Sequence, residues 1–200
     1  MGAAPTCNAR AAPVTSTWHD FRVSFAPDRY VAALRFAAAK HEGQRMVGSD
    51  LPYLVHVVSV AGEVLAVIDR ESLDPDLAVP CALLHDTLED TATTYDELVA
   101  AFGTAVADGV RALSKLDDAI PKADRMADSL RRIRLQPREV WAVKLADRIT
   151  NLAPPPAGWS SDKRRAYREE AIQIADALAG ASPALEARIR ERIAAYSAYF

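Results

Sequence analysis

Apolar runs with helical spacing, each closed by a proline or glycine turn, limit what this chain can become. Ala26-Pro27-Asp28 opens a run to His41 in which Val31, Leu34, Ala38 and His41 share one stripe. Gly43 and Gly48 bracket a polar turn. Pro52 stands at a first helical position, and Tyr53 to Ile68 follow as a strongly apolar helix that contains His56. Val55, Val57, Val58 and Val60 would permit a strand by propensity, but the length of the run and its apolar character on every face favour a buried helix. Asp74-Pro75 starts the next helix, with Pro80 a turn inside, where it should kink or delay that helix. Thr94 and Glu97 have the spacing of a capping box, and Gly103 ends the short helix it starts. Thr104 to Leu116 forms another helix. Pro121 opens one to about Leu135, and Pro137 one over Arg138 to Leu152, stopped by Pro154-Pro155-Pro156. Ser160 or Ser161 caps a helix to about Ala179, and Pro183 opens a last one to about Tyr199. No stretch alternates with a strand period. The expectation is an all-α fold, eight or nine helices in a single compact domain over residues 26–200. Residues 1–25, rich in Ala, Pro, Ser and Thr, read as a mobile N-terminal arm that ends by packing Trp18, Phe21 or Phe25 on the domain.

A chain of 200 residues buries about 70–75% of its unfolded surface, so it needs no disulfide. Cys7 and Cys81 suit a reducing compartment. The first 25 residues lack a secretory apolar core, and no run reaches the roughly 18 apolar residues of a membrane span. A formal charge of −3 gives no basic footprint for nucleic acid or an anionic membrane. These features describe a cytoplasmic protein with a small-molecule partner, and nothing in them specifies an oligomer.

The chemistry concentrates in Cys81-Ala82-Leu83-Leu84-His85-Asp86-Thr87-Leu88-Glu89-Asp90-Thr91. On a continuous helix His85 and Glu89 lie one turn apart, as do Asp86 and Asp90. Three carboxylates crowded at one helix end cost free energy unless a cation or a proton sits among them. Imidazole and carboxylate together suit Mn²⁺, Fe²⁺ or Zn²⁺. His56 is the candidate third ligand and Asp147, an acid interrupting the apolar face of Val143 to Leu152, the fourth. Taken alone, the plainer reading of His56 is a core histidine bonded to a carbonyl. For Asp147 it is a helix-surface acid paired with Lys144 or Arg148.

The set His56, His85-Asp86 and Asp147 resembles the ligand pattern of the HD-domain metal-dependent phosphohydrolases. More narrowly, LLHDTLEDT, Tyr95 to Gly103, and KLADRITNL resemble the hydrolase domain of RelA/SpoT homologues. His41-Glu42-Gly43-Gln44, Pro52 to His56, Gly158-Trp159-Ser160 and Tyr167 fall into the same pattern, which spans roughly Asp28 to Ala179. The resemblance implies hydrolysis of the 3′-pyrophosphate of guanosine tetra- or pentaphosphate, with Mn²⁺ or another divalent transition metal held by His56, His85, Asp86 and Asp147. Glu89 and Asp90, one turn beyond the ligands, would orient or deprotonate the attacking water and manage the leaving group. Asn151 would reach a ribose or phosphate, Lys144 a phosphate or an acidic neighbour, and Tyr167 would close the cleft over a nucleotide.

The chain departs from that pattern at one place. The resembled hydrolases carry an Arg-Lys pair shortly after the HxGQ segment, where this sequence has Met46 and Val47, with Arg45 beside them. Neither side chain replaces a cation. A second reading is therefore an HD phosphohydrolase for another nucleotide or phosphorylated metabolite. A third is a catalytically silent nucleotide-binding HD module, against which the intact Glu89 and Asp90 argue.

Overall fold

The structure, a computed structural model, describes residues 25–115, 120–121 and 124–200. The expected arm lies outside the described residues except for Phe25, whose ring meets Tyr30 edge-on with centroids 6.2 Å apart. Eleven α-helices follow among the described residues: α1 (Pro27–Lys40), α2 (Leu54–Leu65), α3 (Ile68–Glu71), α4 (Pro75–Leu84), α5 (Thr87–Asp90), α6 (Tyr95–Phe102), α7 (Thr104–Leu113), α8 (Arg125–Arg134), α9 (Arg138–Asn151), α10 (Ser161–Ala177) and α11 (Pro183–Tyr196). A 3-10 turn, Ser197–Tyr199, closes the chain. The β pairing among the described residues is one isolated antiparallel bridge between Arg45 and Pro52. No described helix is long and apolar enough to cross a membrane.

The two helices beyond the expected eight or nine are single turns, and both arise from a helix that splits. The run from Tyr53 to Ile68 is not one helix. Pro52 precedes Tyr53, the residue before the first helical turn, and α2 stops at Leu65. The chain then turns into α3, which ends on Ser72 with a left-handed φ of 50°. Arg138 holds that end by donating to the carbonyls of Glu71 and Ser72. Nor is α2 buried on every face: Val55, Val58 and Leu65 are 37–40% exposed along its outer side, while His56, Val57, Val60, Ala61 and Val64 face inward.

The segment from Asp74 to Thr91 splits in the same way. Asp74 caps α4 by accepting from Asp76 N at 2.9 Å. The helix begins at Pro75 and runs on through Pro80, so the expected delay does not occur. Proline removes only the bond to the Asp76 carbonyl, which lies in the first turn. The break comes instead at His85-Asp86. There Thr87 Oγ1 donates to Leu84 O at 2.7 Å and His85 Nδ1 lies 2.8 Å from Ala82 O. Side chains thereby occupy the carbonyls that the next backbone amides would have used, and α4 ends. The four candidate side chains thus come from a junction between two helices rather than from one continuous helix.

Downstream, Thr94, Gly103 and Ser160 act as read, and Ser182 adds a cap ahead of Pro183. Thr94 and Glu97 form a reciprocal capping box, Gly103 ends α6 at φ 87°, Ser160 caps α10 and Ser182 caps α11. α8 starts at Arg125 rather than at Pro121, and α7 ends at Leu113, Leu116 lying outside the described residues.

α4 sits at the centre, packed on α1, α2, α7 and α9, and every residue from Ala78 to Leu84 is buried. α9 packs on α2, α4 and α11. Close approach of α7 to this centre depends on Gly109, where a Cβ would stand 2.7 Å from Cys81 Sγ and 3.0 Å from Val140 Cγ2. Three central helices, α2, α4 and α9, therefore meet with almost wholly apolar faces, and each carries a polar side chain into the contact.

Candidate metal centre

Those side chains are His56 from α2, His85 from the end of α4 and Asp147 from α9, at 5%, 2% and 7% exposure. One ligand atom from each lies within 4.8 Å of the others. His56 Nε2 and His85 Nε2 are 3.3 Å apart, and Asp147 Oδ1 is 3.5 Å from the first and 3.8 Å from the second. Asp86 Oδ2 closes the group at 2.9 Å from His85 Nε2 and 3.6 Å from His56 Nε2. The four residues named from the sequence thus lie in one cluster, Asp86 joining the other three through the two imidazoles.

The chemistry of the donors identifies what that cluster accepts. His85 Nδ1 faces the Ala82 carbonyl and must carry a proton, which leaves a lone pair on Nε2. That lone pair and His56 Nε2 face two carboxylate oxygens. With His56 Nε2 unprotonated all four atoms are acceptors, and they repel one another unless a cation or protons lie between them. Protons respond accordingly. Burial opposes charge on both imidazoles, yet the Asp147 and Asp86 carboxylates outweigh it at His56, which is pushed up to about 9. His85 is raised against the same burial, mainly by Asp86. In turn the imidazoles and Lys144 hold the Asp86 and Asp147 carboxyls well below the usual carboxylate range in spite of their burial. A divalent ion with nitrogen and oxygen preference fits this donor set.

A second layer of side chains holds this cluster. Lys144 Nζ donates to Asp147 Oδ2 at 2.9 Å, and Asn151 Nδ2 donates to Asp147 Oδ1 at 2.5 Å. Lys144, read above as meeting a phosphate or an acidic neighbour, and Asn151, read as reaching a ribose or phosphate, thus both bond the Asp147 carboxylate, from one turn either side of it on α9. The paired reading of Asp147 is true as well, but the pair is buried rather than on the surface. Tyr53 donates its phenol proton to Asp86 Oδ2, and burial followed by the Asp86 charge raises that phenol steeply.

Glu89 and Asp90 stand on α5, just beyond the ligands. Glu89 Oε2 accepts from Lys115 N at 2.9 Å, with Lys115 Nζ 3.6 Å from Oε1. Asp90 Oδ2 accepts from Gln44 Nε2 at 3.3 Å. Burial and the Asp86 charge push the Asp90 carboxyl up. Arg45 lies in the α1–α2 connection and donates to Asp50 O at 2.6 Å, while Val47 in the same turn is 82% exposed. Tyr167, on α10, packs its ring 4.3 Å from the Arg148 guanidinium and edge-on to Trp159, and burial pushes its phenol up to about 12.

Reading the residues in isolation assigned no role to Tyr53, Gln44 or His41. Each bonds to or packs on a residue of the site. The signal that could have found them was the spacing of HEGQ and PYLVH either side of a turn, which brings Gln44 O and Tyr53 N to 2.9 Å.

Comparison with known proteins agrees with the geometry. The HD domain family matches residues 33–184. The guanosine-3′,5′-bis(diphosphate) 3′-pyrophosphohydrolase of Danio rerio is 35% identical over 164 residues, covering 79% of this chain and 88% of that protein. The Homo sapiens enzyme of the same name is 34% identical over 164 residues, with 79% and 89% covered. The bifunctional (p)ppGpp synthase/hydrolase SpoT of Escherichia coli is 33% identical over 165 residues, 78% of this chain and 22% of the larger protein. Among solved structures, a metazoan orthologue of SpoT that hydrolyses ppGpp superposes with a TM-score of 0.74 at 26% identity, covering 88% of this chain and 99% of that one. A Listeria monocytogenes protein shares the fold, with a TM-score of 0.55 at 22% identity over 74% of this chain and 99% of that one.

Proposed function

This chain belongs to the HD-domain family, and from that premise we propose that it is a divalent-metal-dependent phosphohydrolase that removes the 3′-pyrophosphate of guanosine 3′,5′-bis(diphosphate). The observation that carries the reading is the inward-facing set of His56, His85, Asp86 and Asp147, in a chain one third identical over most of its length to enzymes of that name. These four residues hold the metal in this reading, and Mn²⁺ is the proposed ion. When bound, such an ion supplies a Lewis acid for phosphoryl oxygens and lowers the pKa of water toward neutrality.

The chain's own residues divide the remaining work. Glu89, anchored by the Lys115 amide, orients the attacking water and takes its proton. Asp90, whose carboxyl is raised by burial and by Asp86, hands a proton to the departing ribose 3′ oxygen. Water adds to the phosphorus, the bond from phosphorus to the 3′ oxygen breaks, and pyrophosphate leaves. Tyr53 and Asn151 hold the two ligand carboxylates in register. Tyr167, stiffened by Arg148, forms a wall for the nucleotide, Arg45 is the cation that can leave Asp50 O for its phosphates, and Lys144 and Asn151 act on the substrate through Asp147, the carboxylate both bond.

One observation favours a different nucleotide. The turn that would carry two cations presents Met46 and a Val47 that is 82% exposed, and Arg45 is turned to Asp50 O. Incubating the Mn²⁺-loaded protein with guanosine 3′,5′-bis(diphosphate) and with a panel of other nucleotides, and measuring pyrophosphate and phosphate, separates the two. Pyrophosphate from the first compound supports the main reading. Release only from another nucleotide replaces it with the second.

A further inference from the structure

Asp90 is held from outside its own helix, by a two-residue relay in the connection between α1 and α2. Gln44 Nε2 donates to Asp90 Oδ2 at 3.3 Å, and Gln44 Oε1 lies 2.7 Å from His41 Nδ1. The chemistry of the three groups gives the relay one direction. An amide NH₂ only donates, so Asp90 Oδ2 accepts from it in either protonation state and the Gln44 oxygen is left to face His41. An amide oxygen only accepts, so His41 carries a proton on Nδ1. His41 is 4% exposed, and its other nitrogen, Nε2, is buried without a hydrogen-bond partner among the described residues. The imidazole is thus committed to a single bond, the one that orients Gln44. Its ring is fixed in turn by Tyr53, 4.9 Å away between centroids, and the Tyr53 backbone amide bonds Gln44 O at 2.9 Å.

We infer that His41 and Gln44 are positioning residues for Asp90, setting the direction of its carboxylate without touching the metal or the substrate. The inference rests on the reading of Asp90 given under the proposed function. It assigns the connection between α1 and α2 a task separate from nucleotide contact: this segment anchors the acid that, in that reading, faces the leaving group.

The test uses the full chain loaded with Mn²⁺ and reads kcat and KM separately for pyrophosphate release from guanosine 3′,5′-bis(diphosphate), with metal content and Tm measured alongside. Gln44→Met keeps the length of the side chain and removes its donor. It should lower kcat by about tenfold to a hundredfold with KM and metal content unchanged. His41→Phe should lower kcat in the same way. His41→Asn places a side-chain NH₂ where Nδ1 stood and should restore most of the rate, a rescue that a purely space-filling role does not predict. On the residual rate of Asp90→Asn, Gln44→Met should cost nothing further. A wild-type kcat in Gln44→Met beside an inactive Asp90→Asn overturns the inference and leaves the reading of Asp90 intact. Full activity in Asp90→Asn overturns that reading and the inference with it. Equal losses from Gln44→Met with and without the Asp90 carboxylate would show that Gln44 acts elsewhere, and would also overturn it.

Discussion

Lys144 and Asp147 form a buried ion pair one turn apart on α9, Nζ to Oδ2 at 2.9 Å, with about one tenth of each side chain exposed. Removing one partner of such a pair leaves an uncompensated charge and costs about 3–5 kcal/mol. Lys144→Met should therefore destabilise the metal-free protein by roughly that amount. A divalent cation at the site supplies the missing charge, so Mn²⁺ should raise the stability of the variant more than that of the wild type. Urea denaturation with and without Mn²⁺ measures both effects. A loss under about 1 kcal/mol, with no added response to the ion, would mean that Asp147 does not depend on Lys144.

Ligands and acids should separate under substitution. His85→Ala removes an atom within 4 Å of His56, Asp86 and Asp147, and should abolish stoichiometric metal binding. Glu89→Gln should keep the metal and lose about 10²–10⁴-fold in kcat. Elemental analysis beside a turnover assay decides between them. Loss of metal in Glu89→Gln would make Glu89 a ligand.

The metal-free protein should lose stability as pH rises from about 6.5 to about 9. His56 binds its proton more tightly folded than unfolded, so its contribution is complete below the unfolded value and is lost through the folded one. Asp86 and Asp147 have the opposite sign: their carboxyls are lowered by folding, so they contribute above about 3.9 and less as pH falls. A cation on the imidazole nitrogens replaces the protons. The Tm difference between Mn²⁺-loaded and chelated protein should therefore widen toward pH 9. A constant difference from pH 6.5 to pH 9 would contradict the ligand assignment of His56.

Gly109→Ala should destabilise the fold by about 1–3 kcal/mol. Its new methyl group meets Cys81 Sγ at 2.7 Å and Val140 Cγ2 at 3.0 Å, on two helices that carry or precede ligands. Cys81→Ala in the same chain should recover part of the loss, because the clash with sulfur is the closer one. Thermal melts of the single and double variants test this pair.

The grouping of His56, His85 and Asp147 is where residue reading and structure meet: taken alone His56 reads as a core histidine, and the resemblance to a known family, carried by local motifs, singled out the positions that the core brings within 4.8 Å. Asp86 joins them from the α4–α5 junction. The break at His85-Asp86 was not legible. It arises from two side chains, His85 and Thr87, taking carbonyls of the preceding turn, and helical periodicity says nothing about that competition. The early end of α2 and the exposure of Val55, Val58 and Leu65 were missed for a related reason. An apolar run records what can be buried, not which side finds a neighbour. Spacing left Lys144 a choice between a phosphate and an acidic neighbour, and the neighbour it meets is Asp147; Asn151, read as reaching a ribose or phosphate, bonds the same carboxylate, a direction that spacing alone does not give.

The order in which the ligands leave the ribosome follows from their places on α2, the α4–α5 junction and α9. His56, His85 and Asp86 emerge early, and Asp147 emerges only with α9, late in the chain. A nascent chain that ends before α9 holds two imidazoles and one carboxylate, without the buried acid that completes the set or the Lys144 that balances it. A segment that ends before α9 therefore cannot assemble the four-residue cluster, whatever ions surround it during synthesis.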